Sequence, residues 1–587
     1  MAELIPRVYS SFRGVDFRGE EINLHRSPDS LNVWKDYRET ESIRTRPGIE
    51  LNTSFTDTVY GVFFYGGAML VHSGSKLYKV ANGETTELYT GLNEAVSNSF
   101  IYDDVWYFKD GKHYLKYDGE TISNVTDNAY IPTTTIGRKP MGGGTTYEDI
   151  NMLSEYRKNS FLADGASFSF FLDMINIDDD YIPVVTVNDE EIKWSSTEVK
   201  QEEDEESGKI EEFVYCYEDG DPVYKVNFAE GKIVFINTPP DRPLTDGRDN
   251  VVIQFKKAVP KYYDTIMKCN MLQVFDNRVF FSGNPEHPNM IWNSSLNDPS
   301  YIGDRDYYKE GMDSAAVKGL VAGNNALWVF REPSDANTTV FYHTPTLDEE
   351  YGKVYPSSHS SITTGCIGKA INFNDDIVFF SERGMEGISG DITTEQVVAH
   401  RSSLVDRKMT SEPDYKDMVL AEWEGYLLVF IGNKVYLADS RAMFQNENHM
   451  EYEFFYWELE HDVVCATVKD GILYIGTNGG IYTLTDTDAN IESYWVTPLD
   501  KFKYPHKLKT TNKRGCVAEA TGDISVYAKV EDTGFELIGT YNNITDYFVS
   551  RIKRKKFKDI QLKFYSNTRF SLETVTLECF IGGYIKR

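Results

Sequence analysis

The chain has 587 residues, 41% of them apolar and 14% aromatic, with a formal net charge of −31 from 91 acidic and 60 basic residues. That length allows about three or four domains, and that apolar content rules out a chain that is disordered throughout. The acidic balance excludes general affinity for nucleic acid, because counterion release requires a basic surface facing the phosphates.

Residues 1–55 show no helical period and read as an extended N-terminal arm. They carry Arg13, Arg18, Arg26, Arg38, Arg44 and Arg46, a strip suited to bidentate pairing with carboxylates. The arm is expected to pair with the final repeat or with a neighbouring subunit, or else to close the chain's own ring. Arg13, Arg44 and Arg46 are candidate interface residues.

From residue 56 onward one local grammar recurs. A two-residue polar turn leads into a strand of alternating or continuous apolar residues, then a variable loop, then another strand. Turns of this kind begin at Gly66, Asp103, Asp276, Asn324, Asn374, Glu424 and Asp470, in "GGAMLVHS", "DDVWYFK", "DNRVFFSG", "NNALWVF", "NDDIVFF", "EGYLLVF" and "DGILYIG". Such pairs between apolar runs are hairpin signals. The abundance of Tyr (39) and Phe (34) agrees with strands. Seven units with a period near 40–50 residues predict an all-β chain, a β-propeller of about seven blades. Its first blades fall in 56–137 and the rest in 261–490.

The long interval between the second and third turns holds an insertion. Residues 138–260 are predicted to form a small β domain, opened by a linker with Gly142, Gly143 and Gly144. Its acidic run at 201–212 reads as a solvated loop, because the carboxylates lack the spacing of a calcium loop. The stretch "GNPEHPNMIWNSSLNDPSYIGD" (Gly283 to Asp304) reads as one blade's long hairpin loop, and Asn284 and Trp292 in it are candidate subunit contacts. Residues 491–587 alternate apolar and polar positions, as in "DIQLKFY" and "ETVTLECF", and predict a C-terminal β-sandwich. A basic run there, with Arg551, Lys553, Arg554, Lys555, Lys556 and Lys558, either docks an acidic neighbour or a phosphate, or guards a strand edge against pairing.

No HExxH, GxSxG, calcium-loop or phosphate-loop motif occurs, and the ten histidines lack metal-ligand spacing. The expectation is therefore no enzyme activity, no cofactor and no metal. Cys216, Cys269, Cys366, Cys465, Cys516 and Cys579 form no CxxC pair and read as free or buried thiols made in a reducing cytosol. The start "MAELIPRVYS" is not a signal peptide, and no apolar run approaches the ~18 residues of a membrane span.

Three stretches carry a family resemblance: G-V-D, S-P-D-S-L-N-V and R-T-R-P-G in the first fifty residues, "FFSGNPEHPNMIWNSSLNDPSYIGD" in the middle, and "RFSLETVTLECFIGGYIKR" at the end. Together they resemble the packaged-DNA stabilisation or tail nozzle proteins of short-tailed bacteriophages. The resemblance implies a virion protein made in the host cytoplasm and built into a homo-oligomeric, usually sixfold ring. That ring would connect head and tail below the portal, touch portal, adaptor or other tail proteins, and enclose viral double-stranded DNA without sequence-specific contact. It would retain the DNA and release it at ejection. The rival reading is a carbohydrate-binding or glycan-cleaving propeller acting as a receptor adhesin, with Trp292, Trp328, Trp423 and the Gly283 loop as its sugar platform.

Overall fold

All seven sequence-predicted turns adopt one backbone conformation. In the computed structural model, both central residues of every turn lie at positive φ, from +48° at Asp103 to +79° at Gly471. This is the type I′ geometry, whose twist matches that of the flanking antiparallel strands, and Asn, Asp and Gly reach it at least cost. Glu424 is the exception in composition, at +50°, and the Gly that follows it eases the turn. The structure describes residues 3–37, 42–203, 209–245, 247–335, 338–349, 352–389, 397–447, 449–486, 490–531, 533–553 and 556–584.

The chain is all-β, with forty-nine strands and two short α-helices among the described residues. It divides into two compact units, one of residues 1–98 and 311–587, the other of residues 99–310.

In the first unit, four of the five turns open a strand buried on both faces, whereas Ile472–Thr485 keeps exposed positions. Ala326–Arg331 and Tyr426–Ile431 are buried at every position. The reason is visible in the cores on either side. Tyr426, Leu428 and Phe430 enter one cluster with Trp34, Trp423 and Trp457. The intervening Leu427, Val429 and Ile431 enter another with Phe373, Val378 and Phe380. Ile377 and Phe379 then turn to a third, with Trp328 and Phe330. Successive four-stranded sheets thus pack face to face, and apolar side chains point both ways from the strand. That explains the continuous runs "ALWVF", "DIVFF" and "YLLVF".

Gly48–Tyr65 serves two sheets. Its first half pairs with Ile472–Thr485, the last strand of the final repeat. Its second half pairs with Ala68–Ser73.

The C-terminal residues do not form a separate sandwich. The central strand Lys507–Val530 is flanked by Glu536–Ile544 and Tyr547–Ser550 on one edge, and by Ile560–Ser566 and Phe570–Tyr584 on the other. Hydrogen bonding continues from Phe570–Tyr584 through Ile43–Thr45 and Val33–Trp34 to His449–Glu458, giving one fourteen-stranded sheet. N-terminal residues complete this sheet, so residues 491–587 share a core with the last repeats instead of closing on themselves.

The second unit contains two of the repeated sheets, Asn98–Asn124 and Met271–Lys309, which share a core that includes Tyr107, Tyr114, Val279 and Phe281. The insertion has its own core. A six-stranded and a five-stranded sheet enclose Phe161, Phe170, Val185, Tyr224 and Phe255. It begins earlier than the sequence boundary at 138, because Thr133–Arg138 already belongs to its sheet. In the acidic run, 201–203 ends one strand and 210–212 begins the next, and residues 204–208 lie outside the described residues.

Candidate functional site

The polar residues of the N-terminal motifs converge on one buried junction. Ser27 Oγ lies 2.8 Å from Val496 O and 2.9 Å from Asp29 O, so its one proton serves either carbonyl, and it accepts from the Asp29 and Val496 amides at 3.3 Å. Asn32 is held at φ +55°. Its amide nitrogen donates to Glu492 O at 2.9 Å, and its Oδ1 accepts from Glu458 N at 2.8 Å and Arg46 Nε at 3.0 Å. Arg46 also donates to Pro47 O, Glu458 O and Glu460 Oε1, at 2.9 to 3.1 Å. Thr45 Oγ1 meets Ser493 Oγ at 3.0 Å. Arg26 forks onto Glu453 with contacts of 2.8 and 2.7 Å, its guanidinium 4.2 Å from the Phe444 ring. Burial raises the Glu453 carboxyl above its usual range, although Arg26 opposes that shift.

The apolar residues of the same segment lock the junction. Trp34 stacks on Trp423 with 5.2 Å between centroids and meets Trp457 edge-on at 5.7 Å. Phe12 meets Trp495 edge-on at 5.1 Å. Gly14 passes so close to the chain that an added Cβ would lie 1.9 Å from Phe454 O, with φ already at +98°. Upstream, Glu3–Tyr9 pairs along its length with Phe570–Tyr584, while Arg7 and Tyr9 both reach Asp500. The arm thus stitches the strands near 454–458, 493–496 and 571–581 into one body.

This placement corrects several expectations for subunit contacts. Arg46 is 1% exposed and spends its donors inside the chain, so it offers nothing to a neighbour. Asn284 is also 1% exposed. Its Oδ1 caps the Glu286 and His287 amides, and its nitrogen donates to Thr265 O; the Gly283 loop is tied down by its own Asx turn. Trp292 is 2% exposed and packs in the core of the second unit. A sugar platform needs open aromatic faces, yet Trp328 and Trp423 are also buried, with indole nitrogens donating to Gly323 O and Gly471 O.

Other candidates remain at the surface. Arg13 is exposed and lines a cleft of about 280 Å³ with Lys35, Tyr37, Asp439, Arg441 and Glu453. Arg44 pairs with Asp36 at 3.2 Å and borders a cavity of about 80 Å³, space for a few waters. Arg551, Lys553 and Lys556 are exposed, whereas Arg554 and Lys555 lie outside the described residues.

One cluster was not singled out in the sequence: His400, Ser402 and Asp406 lie within one seven-residue stretch, and Glu386 meets them from strand Gly384–Ser389. His400 lies 2.6 Å from Asp406 Oδ2 and 3.1 Å from Glu386 Oε2. Burial alone would discharge the ring, but the two carboxylates outweigh it and raise the imidazole pKa to about 10. Ser402 Oγ donates to Asp406 at 2.6 Å, so the serine addresses the carboxylate and not the imidazole. The arrangement is an ion-pair lock between strand Gly384–Ser389 and the turn at 400–406. Among the described residues, no group of three or more His, Cys, Asp or Glu side chains is arranged to hold a metal ion. No described helix is long and apolar enough to cross a membrane.

No family model and no curated protein sequence matches the chain. Solved structures with local likeness include PorZ, a surface component of the type-IX secretion system of Porphyromonas gingivalis. It is 11% identical over 86% of this chain and 75% of its own, with a TM-score of 0.23. An exo-β-1,3-galactanase from Phanerochaete chrysosporium is 10% identical over 52% of this chain and 94% of its own, with a TM-score of 0.22. Kluyveromyces lactis Hsv2 is 8% identical over 68% of this chain and 98% of its own, with a TM-score of 0.24. Scores this low carry no argument about activity.

Proposed function

We propose that this chain is a structural component of a short phage tail, a stabilisation or nozzle subunit whose seven repeated sheets are the blades of a propeller. Copies assemble as a ring below the portal, retain the packaged DNA and let it pass at ejection. One observation carries this reading. The motifs that resemble the phage family, S-P-D-S-L-N and R-T-R-P-G, supply Ser27, Asn32, Thr45 and Arg46 to the buried junction. Their work in the chain is mechanical, joining the arm, a repeated sheet and the C-terminal strands.

Such a junction suits a part that bears load. A pull on the arm is shared by a full β ladder and by buried side-chain hydrogen bonds, which must break together. The net charge of −31 suits a channel wall that DNA slides past, since the field near the wall repels phosphate within a Debye length of about 8–10 Å.

The test is made on particles. Virions assembled without this chain should lose packaged DNA, measured as nuclease-accessible genome, and regain retention when the purified protein is added. Micrographs of complete particles should show it as a ring at the tail. Particles that lack the chain yet keep their genome and infect normally would refute the proposal.

A further inference from the structure

The C-terminal residues differ from the rest of the chain in charge. Residues 491–587 hold 17 Lys and Arg against 11 Asp and Glu, a net of +6, which leaves −37 on the rest. The fold concentrates part of this excess. Cys516 faces Ser550 and Glu519 faces Tyr547. Farther along, Lys509 and Phe557 exchange backbone hydrogen bonds of 2.8 and 3.0 Å. Both contacts belong to one register, which sets Lys513 and Arg514 beside Arg551 and Lys553, with Lys556 and Lys558 just beyond.

A bulge sharpens the cluster. On its other edge the central strand pairs Thr511 with Cys579 and Cys516 with Leu577, so five residue steps match two. The surplus residues leave the ladder, and Lys513 and Arg514 are exposed there. The bulge is anchored, not loose. Asn512 donates to Glu578 at 2.6 Å. Gly515 sits at φ +75°, where an added Cβ would fall 2.4 Å from Ser550 O. Among the described residues, none of these six side chains pairs with a carboxylate.

Like charges facing each other across strands are destabilising. Guarding a strand edge accounts for lysines on the outer segment, 551–558. It does not account for Lys513 and Arg514, which lie on the inner strand and are thrown outward by a built bulge. A bulge that re-aims side chains is a feature of sites.

We propose that this cluster docks the acidic surface of a second copy of the chain; the proposal rests on the reading of the chain as a self-assembling tail component. Any copy presents the balance of −37 carried outside residues 491–587, which complements the cluster. Nucleic acid would meet that same field as repulsion on approach.

The test uses the purified full-length chain in sedimentation at low and high salt, beside the variant K513E/R514E/R551E/K553E, with thermal melting as the check on folding. If that variant melts early, the matching glutamine set replaces it. The wild type should associate at low salt and dissociate at high salt, and charge reversal should weaken association at least about tenfold, the equivalent of ~1.4 kcal/mol. Carbodiimide should yield intermolecular links from Lys513, Lys553, Lys556 or Lys558 to carboxylates. Association that ignores the reversal overturns the inference and leaves the tail reading standing. A chain that stays monomeric also overturns it, and the particle experiment then judges the tail reading alone. Duplex DNA binding that the variant loses, without self-association, overturns it in favour of a nucleic-acid partner.

Discussion

Replacing Arg46 with alanine should be among the most damaging single changes in the chain. The guanidinium is 1% exposed and serves Asn32 Oδ1, Pro47 O, Glu458 O and Glu460. Asn32 Oδ1 keeps its bond from Glu458 N, and Glu460 is half in water, with its side chain 53% exposed. The cost therefore concentrates on two carbonyls, the buried Pro47 O and the partly buried Glu458 O, at ~1–3 kcal/mol each when left unpaired. Water entering the space returns part of this, so the expected loss is about 3–4 kcal/mol. For a unit of this size, at about 2.1 cal/mol/K of unfolding entropy per residue, that is roughly a 4–5 °C fall in Tm. Because a single Tm is not well defined for a chain with two compact units, hydrogen exchange is the better assay. Protection should fall on 449–458 and 493–496 and stay unchanged in 140–256. Arg46→Lys should recover only part of the loss, since an ammonium cannot reproduce the fork. Glu460→Gln should cost under about 0.5 kcal/mol. If Arg46→Ala leaves Tm and protection within error, the junction does not hold the arm, and the mechanical reading of the motifs fails.

Gly14→Ala should destabilise by about 2–4 kcal/mol, since its methyl would collide with Phe454 O at an already left-handed φ; equilibrium urea melts check this. His400 predicts a pH slope. Its folded pKa, about 10, lies above the unfolded value near 6.5. Its stabilisation is thus complete below pH ~6.5 and lost as pH rises toward 10. His400→Gln should flatten that part of the Tm profile, and an unchanged slope would assign it elsewhere. Finally, all six cysteines are buried with free thiols, and burial raises their pKa values to about 11 or 12. A thiol reagent at pH 8 should label none in the native chain and all six in denaturant.

The sequence by itself determined the parts governed by short-range geometry. Asn324–Asn325, Asp276–Asn277 and the other five pairs announce I′ turns because few residues tolerate positive φ twice in succession. The turns delimit the strands, so the all-β class and the seven repeats were legible. Only the tertiary structure decided which faces are covered. In "ALWVFR" and "MIWN" apolar side chains point both ways, so periodicity cannot tell an open Trp face from a buried one, and Trp292, Trp328 and Trp423 could be placed only once the neighbouring sheets were in view. The same holds for Arg46. A basic residue in an extended arm suggests a surface contact, and its partners at 458 and 460 are more than four hundred residues away. Turn chemistry is written within four residues, whereas burial and pairing depend on segments that meet only after the sheets have stacked.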